Sequence, residues 1–379
     1  CIRDSLSRLR AAQPRHRRGA GEDHAGDPGQ VPGTDRDGDG AAVLLSRVAA
    51  IASALTRGLT RYHARVSTSP SNQPSPQTSS PGEARDITYC DAFLVHASRL
   101  PPVIVIVASL VILAVGQLIV SVPATALLGT NPAPRTSSVV VLLSFWGVWL
   151  ALWAWMRFVD GRPMRALGLE GRRTEVWIGL VIALVVLGGD LVVMTAAGQG
   201  RLHWAHPHPA QIWQVLGLAV LFVIQGSAEE VVLRGHLMQT VAARWGIIAG
   251  VSIQAVLFAV LHSANPGVSV VAVVNIALFG LMLGVLVLWR GSLWPAVGFH
   301  GVWNWLQGPV LGFDVSGMDF GQTILRQTHP AAASTLWTGG NFGAEAALPT
   351  TVFLVVVTSL LIVVWRSGKM PGRPAHLSN

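Results

Sequence analysis

From about residue 98 onward, the chain alternates long apolar runs with short polar connections. A helix needs about 20 apolar residues to cross the hydrocarbon core of a bilayer. The pattern therefore predicts an all-α polytopic membrane protein, an eight-transmembrane-helix bundle with a central polar cavity. The expected spans are residues 101–128, 138–158, 175–197, 212–243, 246–264, 268–289, 291–311 and 348–366.

Two of these spans carry residues that bear on packing. Pro295 and Gly298 interrupt the seventh span. Irregular backbone at membrane depth is tolerated where it is buried in protein or lines a cavity, so we expect this span to lie inside the bundle. Gly280 and Gly284 form a GxxxG pair on the sixth span, which predicts close approach of a neighbouring helix.

The residues before the first span have a different composition. Residues 1–40 are rich in Arg, Gly, Asp and Pro without an apolar period, which predicts disorder. Residues 41–66 are compatible with a basic amphipathic helix on a membrane surface, or with a segment that has no role. Residues 67–82 form a Ser/Pro linker. A chain that begins with Cys1 is expected to be a fragment or a mis-started translation, without a cleavable signal peptide.

These features predict three parts of the chain. They are a disordered basic tail over residues 1–97, a membrane domain over 98–367 and a cytoplasmic tail over 368–379.

The composition supports a membrane protein. The chain has 51% hydrophobic and 12% charged residues, whereas soluble domains carry about 25% charged residues. The net charge of +8 comes mainly from arginine in the tail and loops. We expect these arginines to set the orientation in the membrane and to contact anionic lipid, and we expect no nucleic acid partner. The loop between the second and third spans is expected to be cytoplasmic, and both termini with it, because it holds Arg157, Arg162, Arg165, Arg172 and Arg173.

Charged residues interrupt the fourth span, where each costs about 2.5–3.5 kcal/mol on insertion. Glu230 and Arg234 are four residues apart, share a helix face and are expected to form an ion pair. Glu229 is rotated away from both, so we predict that it faces the cavity and acts as a general base on water. The alternative is a purely structural network of both acids and the arginine.

A histidine on the fifth span lies at a matching depth. Glu229 and His262 are both about 25 Å from the helix turn near residue 245, at 1.5 Å per residue. Two groups equally far from a hairpin turn can meet, which favours a functional His262 over one that only packs. Phe258 lies one turn away and is expected to pack against the site.

The seventh span adds His300 and Asn304, which share one helix face. This pair is suited either to bind a metal or to donate hydrogen bonds to a developing oxyanion. Asn is a poor zinc ligand, which favours the oxyanion role, and hydrogen bonding between helices is the remaining alternative. Weaker candidates for lining the cavity are Asp190, Gln225, Gln254 and Asn275, and the loop histidines His203, His206 and His208 are expected to be solvated.

In this order on successive spans, the motifs EExxxR, FxxxH and HxxxN resemble those of the CPBP family of intramembrane proteases. That family includes CAAX prenyl endopeptidases of the Rce1 type and bacteriocin-immunity proteins. The run Gly291–His300 and the segment Gly339–Gly343 are also similar to stretches of the family. The resemblance covers about residues 100–366.

The resemblance implies an eight-helix bundle around a conical cavity and a glutamate-dependent intramembrane endopeptidase. Glu229 and His262 would activate water, and His300 and Asn304 would stabilise the oxyanion. The family is commonly labelled as metalloproteases, and a divalent metal such as zinc would be held by Glu229, His262 and His300. We favour a metal-free mechanism.

The expected partners are the lipid bilayer and a membrane-anchored protein or peptide substrate. The bias of arginine over lysine favours a bacterial plasma-membrane protein. Two other readings of the same polar residues stay open at this point. One is a non-catalytic membrane scaffold or bacteriocin self-immunity protein, and the other is a proton-coupled transporter, because buried Glu and His also form proton relays.

Overall fold

The computed structural model describes residues 89–129, 133–321 and 323–367, and these ranges are mostly helical. Residues 1–88 of the predicted tail over 1–97, and the whole predicted tail over 368–379, lie outside the described residues. The α-helices are α1 Tyr89–Leu94, α2 Pro102–Leu128, α3 Pro134–Trp155, α4 Val176–Ala196, α5 Pro209–Glu230, α6 Gln239–Trp245, α7 Ile247–His262, α8 Val270–Arg290, α9 Trp294–Trp305, α10 Thr335–Thr338 and α11 Leu348–Arg366.

Shorter elements extend or connect these helices. Three π-helical segments follow α3, α5 and α9 directly, at Met156–Asp160, Val231–Met238 and Leu306–Val310. Four 3₁₀ turns lie at Met164–Leu167, Arg173–Glu175, Gly340–Phe342 and Ala344–Ala346. Strands β1 Arg201–Trp204 and β2 Leu325–Thr328 pair antiparallel, with Arg201 opposite Thr328.

Six helical stretches of the described chain are long and apolar enough to cross a membrane, so a polytopic helical membrane protein is confirmed. The count of eight spans is not confirmed. The fifth and seventh spans of the prediction coincide with α7 and α9, which have 16 and 12 residues. The six stretches are Pro102–Leu128, Pro134–Asp160, Arg173–Ala196, Pro209–Trp245, Val270–Arg290 and Leu348–Arg366.

Local sequence explains why the two remaining helices are short. Helix α7 begins after Gly246, which has a positive φ of 94°, and ends shortly before Pro266 and Gly267. Helix α9 gives way to a π-helical segment that contains Pro309, which has no N–H to extend the hydrogen-bond ladder. The sequence identified Pro295 as an interruption, but Pro295 lies in the first turn of α9, where a missing N–H is harmless.

Glycine lets two pairs of helices touch backbone to backbone. A Cβ at Gly179 of α4 would lie 1.9 Å from the carbonyl oxygen of Pro295 in α9, which leaves no room for a side chain. The predicted GxxxG contact is also present, because a Cβ at Gly280 of α8 would lie 2.8 Å from the Cα of Ala255 in α7. Helix α9 is therefore fixed inside the bundle, as expected for the seventh span.

The packed chain starts before the boundary that the sequence placed at residue 98. Cys90 and Phe93 of α1 are buried and belong to the main hydrophobic core. Helix α1 was not predicted from the sequence, because six residues are too few to show a helical period.

The hairpin of β1 and β2 was not predicted either. The sequence predicted a solvated loop for the histidine-rich segment. His203 is exposed as expected, but it lies on β1, and its Nε2 is 2.9 Å from Oγ1 of Thr328 on β2. The two strands are more than 100 positions apart in the chain, so only the tertiary structure reveals the pairing.

Candidate active site

One cavity of about 200 Å³ is lined by four polar residues of the three motifs, Glu229, His262, His300 and Asn304. Glu229 comes from α5, His262 from α7, and His300 and Asn304 from α9. Glu229 and His300 are each only 8% exposed. Groups that are distant in sequence thus meet in a small polar chamber inside an apolar bundle.

The backbone changes its helical form at the acidic pair. Helix α5 ends at Glu230 and the chain continues as a π-helix over Val231–Met238 before α6 begins. The sequence predicted one continuous α-helix over residues 212–243, and this is corrected here. A π-helix widens the turn and is frequent at functional sites, because it re-aims the side chains around it.

The ion pair expected between Glu230 and Arg234 is present. Nη1 of Arg234 donates to Oε1 of Glu230 at 3.1 Å, and both side chains are fully buried. Removing one partner of such a pair leaves an uncompensated buried charge, which typically costs about 3–5 kcal/mol. Arg234 therefore holds Glu230 in place.

His300 lies between the two acids, which the sequence did not predict. Its Nδ1 is 2.8 Å from Oε1 of Glu230, and its Nε2 is 3.6 Å from Oε2 of Glu229. Because the carboxylate of Glu230 accepts hydrogen bonds, Nδ1 is the donor. His300 thus connects the structural acid to the acid that lines the cavity.

Phe258 packs at the centre of this group. The guanidinium carbon of Arg234 is 4.4 Å from the centroid of its ring, a cation–π distance. The same ring lies edge-on to His262 and to His300, with centroids 4.6 and 5.9 Å away. The aromatic ring of the FxxxH motif thus packs against three polar side chains, Arg234, His262 and His300.

His262 is oriented by its own helix. Its Nδ1 lies 2.8 Å from the carbonyl oxygen of Phe258. A carbonyl only accepts, so Nδ1 carries the proton and Nε2 is left for other groups. The depth argument placed His262 and Glu229 at one cavity, but within the described ranges Glu229 is ion-paired with His300 and not with His262.

Asn304 is held by one of the weaker candidates. Its Nδ2 donates to Oε1 of Gln225 at 2.9 Å, and both residues line the cavity. Gln254 and Asn275 instead donate to backbone carbonyls, at Gly280 and at Glu345 respectively. Of the weaker candidates, Gln225 is the one that belongs to the site.

Two lining residues were missed by the sequence. Glu345 is 4% exposed, and its Oε2 accepts hydrogen bonds from the backbone N–H and the hydroxyl of Ser316, at 2.9 and 2.7 Å. Both residues lie in loops without an apolar period, where a single acid or serine carries no sequence signal. Only the folded chain brings them to Glu229 and the histidines.

The geometry does not assemble the metal-ligand set that the resemblance implied. In the part of the chain that the structure describes, no three His, Cys, Asp or Glu side chains are placed to hold a metal ion. His300 directs Nδ1 at one carboxylate and Nε2 at another. Glu229, His262 and His300 share the cavity without forming a ready coordination sphere.

Residues 211–306 match the family model for type II CAAX prenyl endopeptidase Rce1-like proteins. This segment is similar to Rce1-like domains. The match confirms the resemblance drawn from the motifs and contains every residue of EExxxR, FxxxH and HxxxN. No curated protein and no solved structure matches the chain. The apolar helices indicate a membrane protein, and the match shows that residues 211–306 are similar to a family of membrane endopeptidases.

Proposed function

We propose that this protein is an intramembrane endopeptidase that hydrolyses a peptide bond in a membrane-associated protein or peptide. The observation that carries the proposal is the placement of His300 between Glu229 and Glu230 at a buried cavity, within the segment that is similar to Rce1-like domains. A scaffold has no need of adjacent acids and imidazoles around a chamber large enough for water and a peptide group.

Glu229 is the general base in this proposal. Oε1 of Glu230 already accepts from Arg234 and from His300, and its side chain is fully buried. Glu229 lines the cavity and is the acid that a water molecule can reach. It removes a proton from water as the water oxygen attacks the carbonyl carbon of the scissile bond.

His262 positions the attacking water. With Nδ1 bound to the Phe258 carbonyl, Nε2 accepts a hydrogen bond from water held against Glu229. Phe258 packs against both histidines and limits the movement of each ring.

His300 and Asn304 stabilise the tetrahedral oxyanion. Nδ1–H of His300 donates a hydrogen bond to Glu230, and the nearby carboxylate of Glu229 favours a second proton on Nε2. Nε2 then donates to the oxyanion as a cationic group. Asn304 uses one N–H on Gln225, and the second N–H of its amide is available to the same oxygen.

The number of helices and the orientation in the membrane are proposed from the sequence. We propose that α7 and α9 complete an eight-helix bundle around the cavity, although each is too short to span a bilayer alone. By the positive-inside rule, the arginines on the loop after α3 and at Arg290 support a cytoplasmic location for this side of the bundle and for both termini. The bias of arginine over lysine supports a bacterial plasma membrane.

A cleavage assay tests the function. Purified protein in proteoliposomes should cleave an internally quenched peptide that ends in a prenylated CAAX sequence, and EDTA or 1,10-phenanthroline should leave the rate unchanged.

Three other outcomes would contradict parts of this account. Loss of cleavage with chelator and recovery with Zn²⁺ would assign a metal to the mechanism. A protein that is folded but cleaves no membrane peptide supports the scaffold or self-immunity alternative. Uptake that collapses with the proton gradient supports the transporter.

A further inference from the structure

Glu345 is the second acid that lines the cavity, beside Glu229, and the mechanism proposed above gives it no role. It lies in the 3₁₀ turn Ala344–Ala346, beyond the matched segment 211–306 and before the span formed by α11. Its side chain lines the same cavity as Glu229, His262 and His300. A buried acid facing a reaction chamber is costly unless it is used or well paired.

The structure fixes Glu345 from two sides. Nδ2 of Asn275 donates to the backbone carbonyls of Glu345 and Ala347, at 2.8 and 2.9 Å. Asn275 is held in turn by the hydroxyl of Thr351, which donates to its Oδ1 at 2.6 Å. The turn that carries the acid is thereby tied to α8 and α11, and the acid has a defined position.

Ser316 determines which oxygen of Glu345 can carry a proton. Both of its donors, the backbone N–H and the hydroxyl, bind Oε2. Oε1 is not used by Ser316, so the proton of the neutral acid lies on Oε1. The acid is thus oriented with one oxygen anchored to the protein and the other left for a group in the cavity.

The charged groups that Glu345 faces come from other elements. The charges of His262 on α7 and His300 on α9 both act on it. Among the described residues it forms no direct ion pair with either ring, although all three side chains line the cavity. A peptide group bound in that space would contact Glu229 and the histidines on one side and Glu345 on another.

We propose that Glu345 is the general acid that protonates the leaving nitrogen of the scissile bond. This inference rests on the peptidase function proposed above. Water gives a proton to Glu229 as its oxygen bonds to the carbonyl carbon. As the C–N bond breaks, the proton on Oε1 of Glu345 moves to the nitrogen, which leaves as an amine. The proton on Glu229 then returns to Glu345 directly or through solvent.

The surroundings of Glu345 suit this role. Burial raises the pKa of Glu345 above its ordinary value, while the Ser316 hydrogen bonds and the charges of His262 and His300 act in the opposite direction. A raised pKa keeps the acid protonated closer to neutral pH, where it can donate. The donor form is present below this pKa and is lost as the pH rises through it, so Glu345 should set the alkaline limb of the activity profile.

The test compares two leaving groups in one peptide sequence, a normal amide and a matched thioester. A thiol has a pKa of about 8.5 and departs without being protonated, whereas an amide nitrogen cannot. Glu345→Gln should lower kcat/KM for the amide by about 10²–10³-fold and affect the thioester far less. Glu170→Gln is the control, because Glu170 is a surface acid outside the cavity lining and its variant should retain both activities.

A second variant keeps the proposal testable if Glu345→Gln does not fold. Ser316→Ala removes a hydrogen bond that stabilises the ionised acid, so the alkaline limb of the amide profile should move to higher pH. An equal loss on both substrates in Glu345→Gln, or an unmoved alkaline limb in Ser316→Ala, would overturn the general-acid role while leaving the peptidase intact. A wild-type protein that cleaves neither substrate would instead overturn the proposed function itself.

Discussion

Replacing Glu229 by Gln is expected to lower kcat/KM for a membrane peptide by about 10²–10⁴-fold, the range of general base catalysis. The amide keeps the size of the side chain but cannot accept the proton of water. Glu229 is the acid of the tandem pair that lines the cavity, so its loss should remove catalysis rather than folding. Cleavage kinetics in proteoliposomes measure the catalysis, and the thermal midpoint of the purified variant measures the stability of the fold.

The control for this variant is an exposed acid of the same type. Glu170 pairs with Arg165 at the surface, with 43% of its side chain exposed, so Glu170→Gln should cleave like the wild type. If Glu229→Gln cleaves at the wild-type rate while it remains folded, Glu229 is not the base. The scaffold alternative would then gain, because its phenotype does not depend on this carboxylate.

Replacing His300 by Gln should lower kcat by about 10²–10³-fold with little change in KM, as expected for the loss of an oxyanion donor. Gln retains a neutral donor for Glu230 but cannot place a positive charge beside the developing oxyanion. Stopped-flow or steady-state cleavage with varied substrate concentration separates the two constants.

A matched histidine outside the cavity controls for this change. His203 on β1 contacts Thr328 and lies away from the site, so His203→Gln should retain full activity. A His300→Gln protein with a raised KM and an unchanged kcat would show that His300 binds substrate instead of stabilising the transition state.

Much of the fold could be predicted from the sequence, because it depends on local patterns. Apolar length predicted where the helices lie, and spacing predicted the ion pair of Glu230 with Arg234. The depth of His262 relative to Glu229 also predicted that both reach one cavity. Each of these rests on helix geometry alone, which the sequence fixes residue by residue.

What the sequence missed depends on contacts between distant segments. The π-helix at Val231–Met238 shifts the backbone hydrogen-bond ladder, and no local residue pattern predicted it. The spacing of His300 and Asn304 predicted that the two side chains act together. The ring of His300 instead lies between Glu229 and Glu230, about 70 positions earlier in the chain. Glu345 and Ser316 come from loops, where neither periodicity nor a motif marked them.

The helix count shows the same limit. The length and hydropathy of the segments that form α7 and α9 predicted that each would cross the bilayer alone. Both are shorter because turn residues and Pro309 end them, and they are supported by their neighbours in the bundle instead. Hydropathy measures whether a segment tolerates lipid, and a segment buried in protein satisfies the same measure.

The most direct test of the account is a double-mutant cycle between Glu229 and His300, read on kcat/KM in proteoliposomes. Nε2 of His300 lies 3.6 Å from Oε2 of Glu229, so we expect the proposed base and the proposed oxyanion donor to act as one unit. The account predicts that the double variant Glu229→Gln with His300→Gln is about as slow as the worse single variant, because residues acting together are strongly non-additive. Two losses that simply multiply would mean that the residues act independently, and this would contradict a single hydrolytic site.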